Sequence, residues 1–152
     1  MMRILGIDPG VAGGGALLPT NGGTPAVFDL PVVNNQINAG LLRRMVHDLK
    51  PDLAVVEVVH SMPGQGVAST FKFGMACGLI RGVLLGYGLP VVDVHPTVWK
   101  RHFKLMKGDG ELSRALACNR FPSLEGLSRK KDHNRAEALL IALWRVETDD
   151  QV

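Results

Sequence analysis

Residues 52–59, DLAVVEVV, are almost wholly apolar and largely β-branched, yet they carry one carboxylate, Glu57, in their interior. A run of that composition suits a central strand covered on both faces. A carboxylate in such a place costs several kcal/mol unless a cation or a hydrogen-bond network compensates it. Residues 3–8, RILGID, repeat the problem, because this short apolar run ends on Asp8 just before Pro9-Gly10. Adjacent strands would bring the two acids within a few ångströms, and paired carboxylates repel unless a divalent metal lies between them. The plain alternative is a structural acid in each case: Asp8 as a turn cap and Glu57 as the partner of one buried arginine.

The pattern around these runs predicts an α/β fold. Gly13-Gly14-Gly15 turns the first strand into a second, Ala16-Leu17-Leu18, and Ala26 to Leu30 reads as a third after the Asn21-Gly22-Gly23 turn. Leu41, Leu42, Met45, Val46 and Leu49 recur at helical spacing before Lys50-Pro51, and the Glu57 strand follows. A long helix from about Ser69 to Tyr87 then leads to a second buried strand, Pro90 to Val94. Further helices are expected over Pro96 to Leu105, Gly110 to Phe121 and Asn134 to Glu147. The order implies a mixed five-stranded sheet, an antiparallel meander continued by parallel strands, flanked by helices. With 152 residues there is room for one domain, read as residues 1–147 with a short acidic tail at 148–152.

Charge and cysteine usage narrow the classes further. The net charge is only +3, but residues 98–135 hold ten basic side chains against four acids. That segment is a candidate polyanion-binding face, or simply a set of solvated helix faces. Lys100, Arg101, Lys104 and Lys107 alternate with Trp99, His102 and Phe103, and Lys107-Gly108-Asp109-Gly110 reads as a phosphate-contacting turn. Lys72, Lys130 and Lys131 extend the set of DNA-binding candidates. Cys77 and Cys118 have no CxxC spacing, so structural zinc is not expected. Met1 to Gly10 is broken by Asp8, Pro9 and Gly10 and makes neither a signal region nor a membrane span; a cytoplasmic protein with no membrane partner is expected.

A third acidic segment opens the last helix. Asp132 occupies an N-cap-like position and Glu137 lies about a turn inside. Together Asp8, Glu57, Asp132 and Glu137 supply the oxygen ligands that two Mg²⁺ ions need for phosphodiester hydrolysis, with Mn²⁺ an acceptable substitute. For Asp132 and Glu137 the alternatives remain a plain cap and a surface ion pair. The long helix also spaces Gly74, Gly78, Gly82 and Gly86 by four. Each interior glycine costs about 0.5–1 kcal/mol relative to alanine, so the stripe needs close packing, either on the sheet or across a dimer axis.

In this order, the Gly6-Ile7-Asp8-Pro9-Gly10 opening, Glu57 on its apolar strand, Lys72-Phe73-Gly74-Met75-Ala76-Cys77-Gly78 and the closing DHNRAEALLIALW segment resemble the RuvC resolvases, over about residues 2–146. The resemblance implies an RNase H-like fold and a homodimer that binds a four-way (Holliday) DNA junction and makes two symmetric nicks. It also implies metal-ligand roles for Asp8 and Glu57. The family closes its site with an acid or His three residues before a final Asp. Here Glu137 takes the final place and Asn134 stands three earlier, leaving Asp132 or His133 to complete the set. Where many members carry an aromatic wedge for the junction centre, this chain has His60, with Met62 and Phe71 nearby as alternatives.

Other readings weighed on the sequence are a ribonuclease H or branched-DNA repair nuclease, and a non-catalytic DNA-binding module. An acid before a glycine-rich hairpin also opens the actin and sugar-kinase fold. That fold needs two such domains, which 152 residues do not provide.

Overall fold

The computed structural model describes residues 1–61, 63–105 and 110–149. Its main sheet has the order β3-β2-β1-β6-β7, built from β1 (Arg3–Asp8), β2 (Gly14–Pro19), β3 (Ala26–Asp29), β6 (Leu53–Glu57) and β7 (Val91–Val94). β1, β2 and β3 form the antiparallel meander, while β6 and β7 add to β1 in parallel. The expected mixed five-stranded sheet is therefore present. A small hairpin outside the sheet, β4 (Val32–Val33) and β5 (Gln36–Ile37), was not anticipated. It is turned by Asn34 and Asn35, both at positive φ (51° and 59°), a conformation that asparagine tolerates better than most residues.

Two helices cover one face. α1 (Ala39–Leu49) starts on Asn38, whose side chain accepts from the Leu41 amide at 2.9 Å, and stops at Lys50 in the left-handed region just before Pro51. α2 (Val67–Gly86) is the crossover between β6 and β7. Leu42 and Val46 of α1 pack with Ala76, Ile80 and Leu84 of α2 against Leu5, Ile7, Ala54 and Val56. By length and composition α2 could cross a bilayer, with a mean hydropathy of 1.3. Ala76, Ile80 and Leu84 instead seat one side of it in this core.

The opposite face carries α3 (Pro96–His102), α4 (Gly110–Arg120), a 3₁₀ turn (Lys130–Asp132) and α5 (His133–Asp149). Because α5 runs to Asp149, residues 148 and 149 of the expected tail are helical. Its residues from Ala138 to Ala142 are completely buried, as a helix that is apolar nearly all round must be. Two glycines let α5 press onto the sheet. A Cβ on Gly6 would sit 2.0 Å from the Ala138 carbonyl oxygen, and one on Gly14 would sit 2.5 Å from that of Asn134. This close approach brings the start of α5 over the end of β1.

Candidate active site

Asp8 is the last residue of β1 and Glu57 the last of β6. The two strands are parallel and paired Ile7 to Val56, so both carboxylates leave the sheet at the same edge, side by side. Glu57 was expected inside a longer strand. The strand instead ends on it, although the Val58 amide still donates to the Val94 carbonyl at 2.8 Å, and Val59 is exposed. Glu137, one turn into α5, completes a trio. Its carboxyl group is near enough to Asp8 for a side-chain hydrogen bond and exerts a repulsive field on both Asp8 and Glu57.

Two neutral donors and one cation hold this cluster. The Trp99 indole donates from Nε1 to Glu57 Oε2 at 2.7 Å. Ser113 Oγ of α4 donates to Glu137 Oε1 at 3.3 Å. Lys100 Nζ lies 3.8 Å from that same Glu137 oxygen and 5.3 Å from the centroid of the Trp99 ring. Lys100, Trp99 and Ser113 reach the site because α3 begins directly after β7 and α4 packs along α5.

The electrostatics follow from burial and like charge. Asp8, 9% exposed, has its carboxyl pushed well above the usual range, first by desolvation and then by Glu57 and Glu137, with Lys100 opposing. Glu57 is also raised, chiefly by burial, against the lowering effect of the Trp99 hydrogen bond. The half-buried Cys77 of α2 lies close enough to feel Asp8 and Glu57, and its thiol is raised, mostly by burial. Among the described residues no three His, Cys, Asp or Glu side chains already form a ready-made metal cage. The donor set does suit a hard divalent cation: three carboxylates at one sheet edge, two of them, Asp8 and Glu57, held in unfavourable ionisation by burial and by acidic neighbours.

The other acid expected here goes elsewhere. Asp132 is 1% exposed and belongs to the 3₁₀ turn before α5, where it accepts from the Arg129 amide at 2.8 Å and from the Arg129 guanidinium at 2.8 Å. Arg135, which lies 3.7 Å from Asp132, also pairs with Asp29 at 2.7 Å. Asp132 thus faces the β3 side, its carboxylate bonding back to Arg129 as the partner of a capping box on the 3₁₀ turn. His133 lies against Gly110 at the start of α4 and contacts the Lys130 carbonyl at 3.2 Å. Of Asp132, His133 and Asn134, it is Asn134 that turns toward Asp8: its amide donates to the Ala12 carbonyl, and it lines a depression of about 210 Å³ with Asp8, Gly10 and Phe73.

The basic residues divide by position. Lys100 reaches the acidic cluster and, with exposed Arg101 and Lys104, lines a cleft of about 770 Å³ that also includes Glu57, His60 and His95. The rings of these two histidines lie 5.2 Å apart. Lys130 and Lys131 are exposed on the 3₁₀ turn, and Lys72 is exposed on α2. Phe71 is 70% exposed on α2, while Met62, Lys107 and the rest of the expected phosphate-contacting turn up to Asp109 lie outside the described residues. The sequence reading missed Trp99 and Ser113 as site residues. A tryptophan immediately before a lysine on a short helix was the visible signal for the former.

The glycine stripe does not pack on the sheet. A Cβ placed on Gly74, Gly78, Gly82 or Gly86 would meet nothing within 4 Å. Val67, Phe71, Met75 and Leu85 are exposed on the same helix, 88%, 70%, 58% and 54% respectively. This leaves an apolar, glycine-lined face without a partner among the described residues.

No family model matches the chain. The chloroplastic Holliday junction resolvase of Chlamydomonas reinhardtii is 37% identical over 91 residues, a match that covers 59% of this chain and 10% of that longer protein. Matches to the RuvC proteins of Nitratidesulfovibrio vulgaris and Chloroflexus aggregans span 65% and 66% of their lengths. Among solved structures, Thermus thermophilus RuvC in complex with a Holliday junction substrate superposes with a TM-score of 0.65 at 21% identity, covering 100% of this chain and 98% of that one. That similarity shows the RNase H-like fold. The RuvC of a Synechococcus strain is 30% identical over 156 residues, covering 93% of this chain and 96% of its own. A match of that identity along nearly the full length of both proteins shows that the chain belongs to the RuvC family of crossover junction endodeoxyribonucleases.

Proposed function

We propose that this protein is a divalent-metal-dependent DNA endonuclease that resolves four-way junctions by paired nicks, acting as a homodimer. The observation that carries the reading is the meeting of Asp8, Glu57 and Glu137 at one sheet edge, where a cleft bordered by Lys100, Arg101 and Lys104 opens. The negative cluster suits cations and the basic wall suits a phosphodiester backbone, so the two halves of a nuclease site adjoin.

Asp8, Glu57 and Glu137 would hold Mg²⁺, or Mn²⁺ in its place, with Asn134 beside them in the position the family gives to an acid or His. Bound there, the metal supplies Lewis-acid polarisation of the phosphate and eases ionisation of water near neutral pH. The chain's own groups do the rest. Trp99 and Ser113 fix the two glutamates, and Lys100 places a positive charge beside the developing negative charge. Arg101 and Lys104 hold the backbone in register through contacts that carry no sequence information.

A junction has two strands to cut, and a two-fold assembly presents two equivalent sites to them. The unpartnered face of α2 supports such an assembly, because bare glycines permit close helix approach and Phe71, Met75 and Leu85 supply apolar area.

The test is cleavage of a synthetic four-way junction with and without Mg²⁺, beside a linear duplex of the same sequence and an RNA–DNA hybrid. Paired nicks in the junction alone, dependent on the metal, are expected. Preferential cutting of the hybrid would instead identify a ribonuclease H.

A further inference from the structure

Trp99 is completely buried, and its indole ring packs in the core formed by Val55, Val94, Ala117 and Leu139. α3 starts with Pro96 immediately after β7, and this fixes the helix, and Trp99 one turn along it, relative to the sheet edge. The Nε1–H group is the only polar atom on this side chain and can only donate. It points at Glu57 Oε2 from 2.7 Å across 42 residues of sequence. Glu57 itself ends its strand, at the edge where the cleft opens.

The chemistry of the donor matters. An arginine or lysine in this place would neutralise Glu57 and compete with a metal for it, whereas an indole orients the carboxylate and leaves its charge intact. The contact uses one oxygen, Oε2, and leaves Oε1 for another partner. We infer that Trp99 is a positioning residue: its buried N–H fixes the Glu57 carboxylate and thereby sets the affinity of the site for a divalent cation. The inference rests on the metal-dependent reading proposed above.

The chain has two tryptophans, so Trp144→Phe leaves Trp99 as the single indole. In that background Trp99 is replaced by β-(3-benzothienyl)alanine, which keeps the size and shape of tryptophan but has sulfur where the N–H was. Mn²⁺ binding to the DNA-free protein is then measured by calorimetry, with thermal unfolding as the check on folding. The loss of one hydrogen bond to a charged group should weaken Mn²⁺ binding about tenfold. Junction cleavage should need correspondingly more Mn²⁺ and recover when it is supplied. Trp99 emission in the Trp144→Phe parent should change on adding Mg²⁺, and this change should vanish with Glu57→Gln.

Mn²⁺ affinity unchanged by the sulfur isostere, with Glu57→Gln abolishing binding, would overturn the role of Trp99 and leave the metal site standing. If the Trp144→Phe parent binds no Mn²⁺ at all, the metal reading falls and this inference falls with it. Trp99→Phe serves as a second probe where the isostere folds poorly, since it too removes the donor while filling most of the same space.

Discussion

Lys100 places its ammonium 3.8 Å from Glu137 Oε1, inside a cluster of three acids, and it opposes the burial and repulsion that raise Asp8 and Glu57. Arg101 and Lys104 on the same cleft are exposed, whereas the Lys100 side chain is only 17% exposed and its ammonium reaches the acids. Lys100→Gln should therefore act on the chemical step: cleavage at saturating junction should fall about 10²-fold, the scale of one well-placed electrostatic donor. Junction affinity should change only a few-fold. Single-turnover rates and equilibrium binding measured on the same preparation separate the two, and a defect confined to affinity would make Lys100 a DNA contact only.

Asp8 is an acid held where its charge is unwelcome, and this couples function to stability. Its carboxyl is raised by burial and by its acidic neighbours, so its contribution to stability is full below the ordinary range near 3.8 and is lost as pH rises through the shifted value. At neutral pH, without divalent metal, Asp8→Asn should unfold at a higher temperature than the wild type. The same change, like Glu57→Gln and Glu137→Gln, should lower cleavage about 10³-fold by removing a ligand charge, with junction binding largely kept. A metal-free Asp8→Asn protein less stable than the wild type would contradict the electrostatic account.

Asp132 calls for the opposite pattern. Hydrogen bonds from Arg129 hold its carboxyl below the usual range, so its contribution is present above about 3.8 and disappears as pH falls through the lowered value. Asp132→Asn should cost about 1 kcal/mol near neutral pH, the usual size of a lost cap, and the gap to the wild type should close in acid. Cleavage at moderate temperature should stay within a few-fold of normal. A loss as deep as that of Glu137→Gln, in a protein shown to be folded, would restore Asp132 to the metal site.

Why the acids sorted this way was only partly legible in the sequence. Asp8 and Glu57 stood out because an apolar strand makes any acid within it conspicuous, and parallel pairing of two such strands brings their ends together. Asp132 and Asn134 differ by helix phase. α5 begins at His133, so Asn134 and Glu137 share a face while Asp132, in the preceding 3₁₀ turn, points toward Arg129 and the β3 side. The contacts of Trp99 with Glu57 and of Ser113 with Glu137 are tertiary, 42 and 24 residues apart, and no local pattern encodes them. The β4–β5 hairpin escaped notice because two-residue strands are too short to show alternation.

Arg101 and Lys104 are exposed at the cleft beside Glu57, where phosphate contacts would release counterions. Junction binding should weaken steeply with salt, and each of Arg101→Gln and Lys104→Gln should reduce the slope of log affinity against log salt by about 0.9. The cleavage rate at saturation should barely change. Parallel salt titrations of wild type and variants test this, and identical slopes would remove the residue concerned from the DNA path.

The glycine face of α2 offers a test in which stability and assembly should move apart. A Cβ at Gly78 would meet nothing within 4 Å among the described residues, and the position is exposed, so Gly78→Leu has open space to occupy. Replacing a helix-interior glycine should stabilise α2 by about 0.5–1 kcal/mol. If this face is the two-fold contact, however, a leucine there holds the two helices apart and uncovers Phe71 and Met75. Sedimentation of the wild type should then give a dimer and that of Gly78→Leu a monomer that melts no lower at high dilution. With one site per particle, the variant should bind junctions weakly and nick one strand at a time, which a supercoiled cruciform plasmid reports as nicked circles in place of linear product. A Gly78→Leu protein that remains dimeric and still linearises the plasmid would place the interface on another surface.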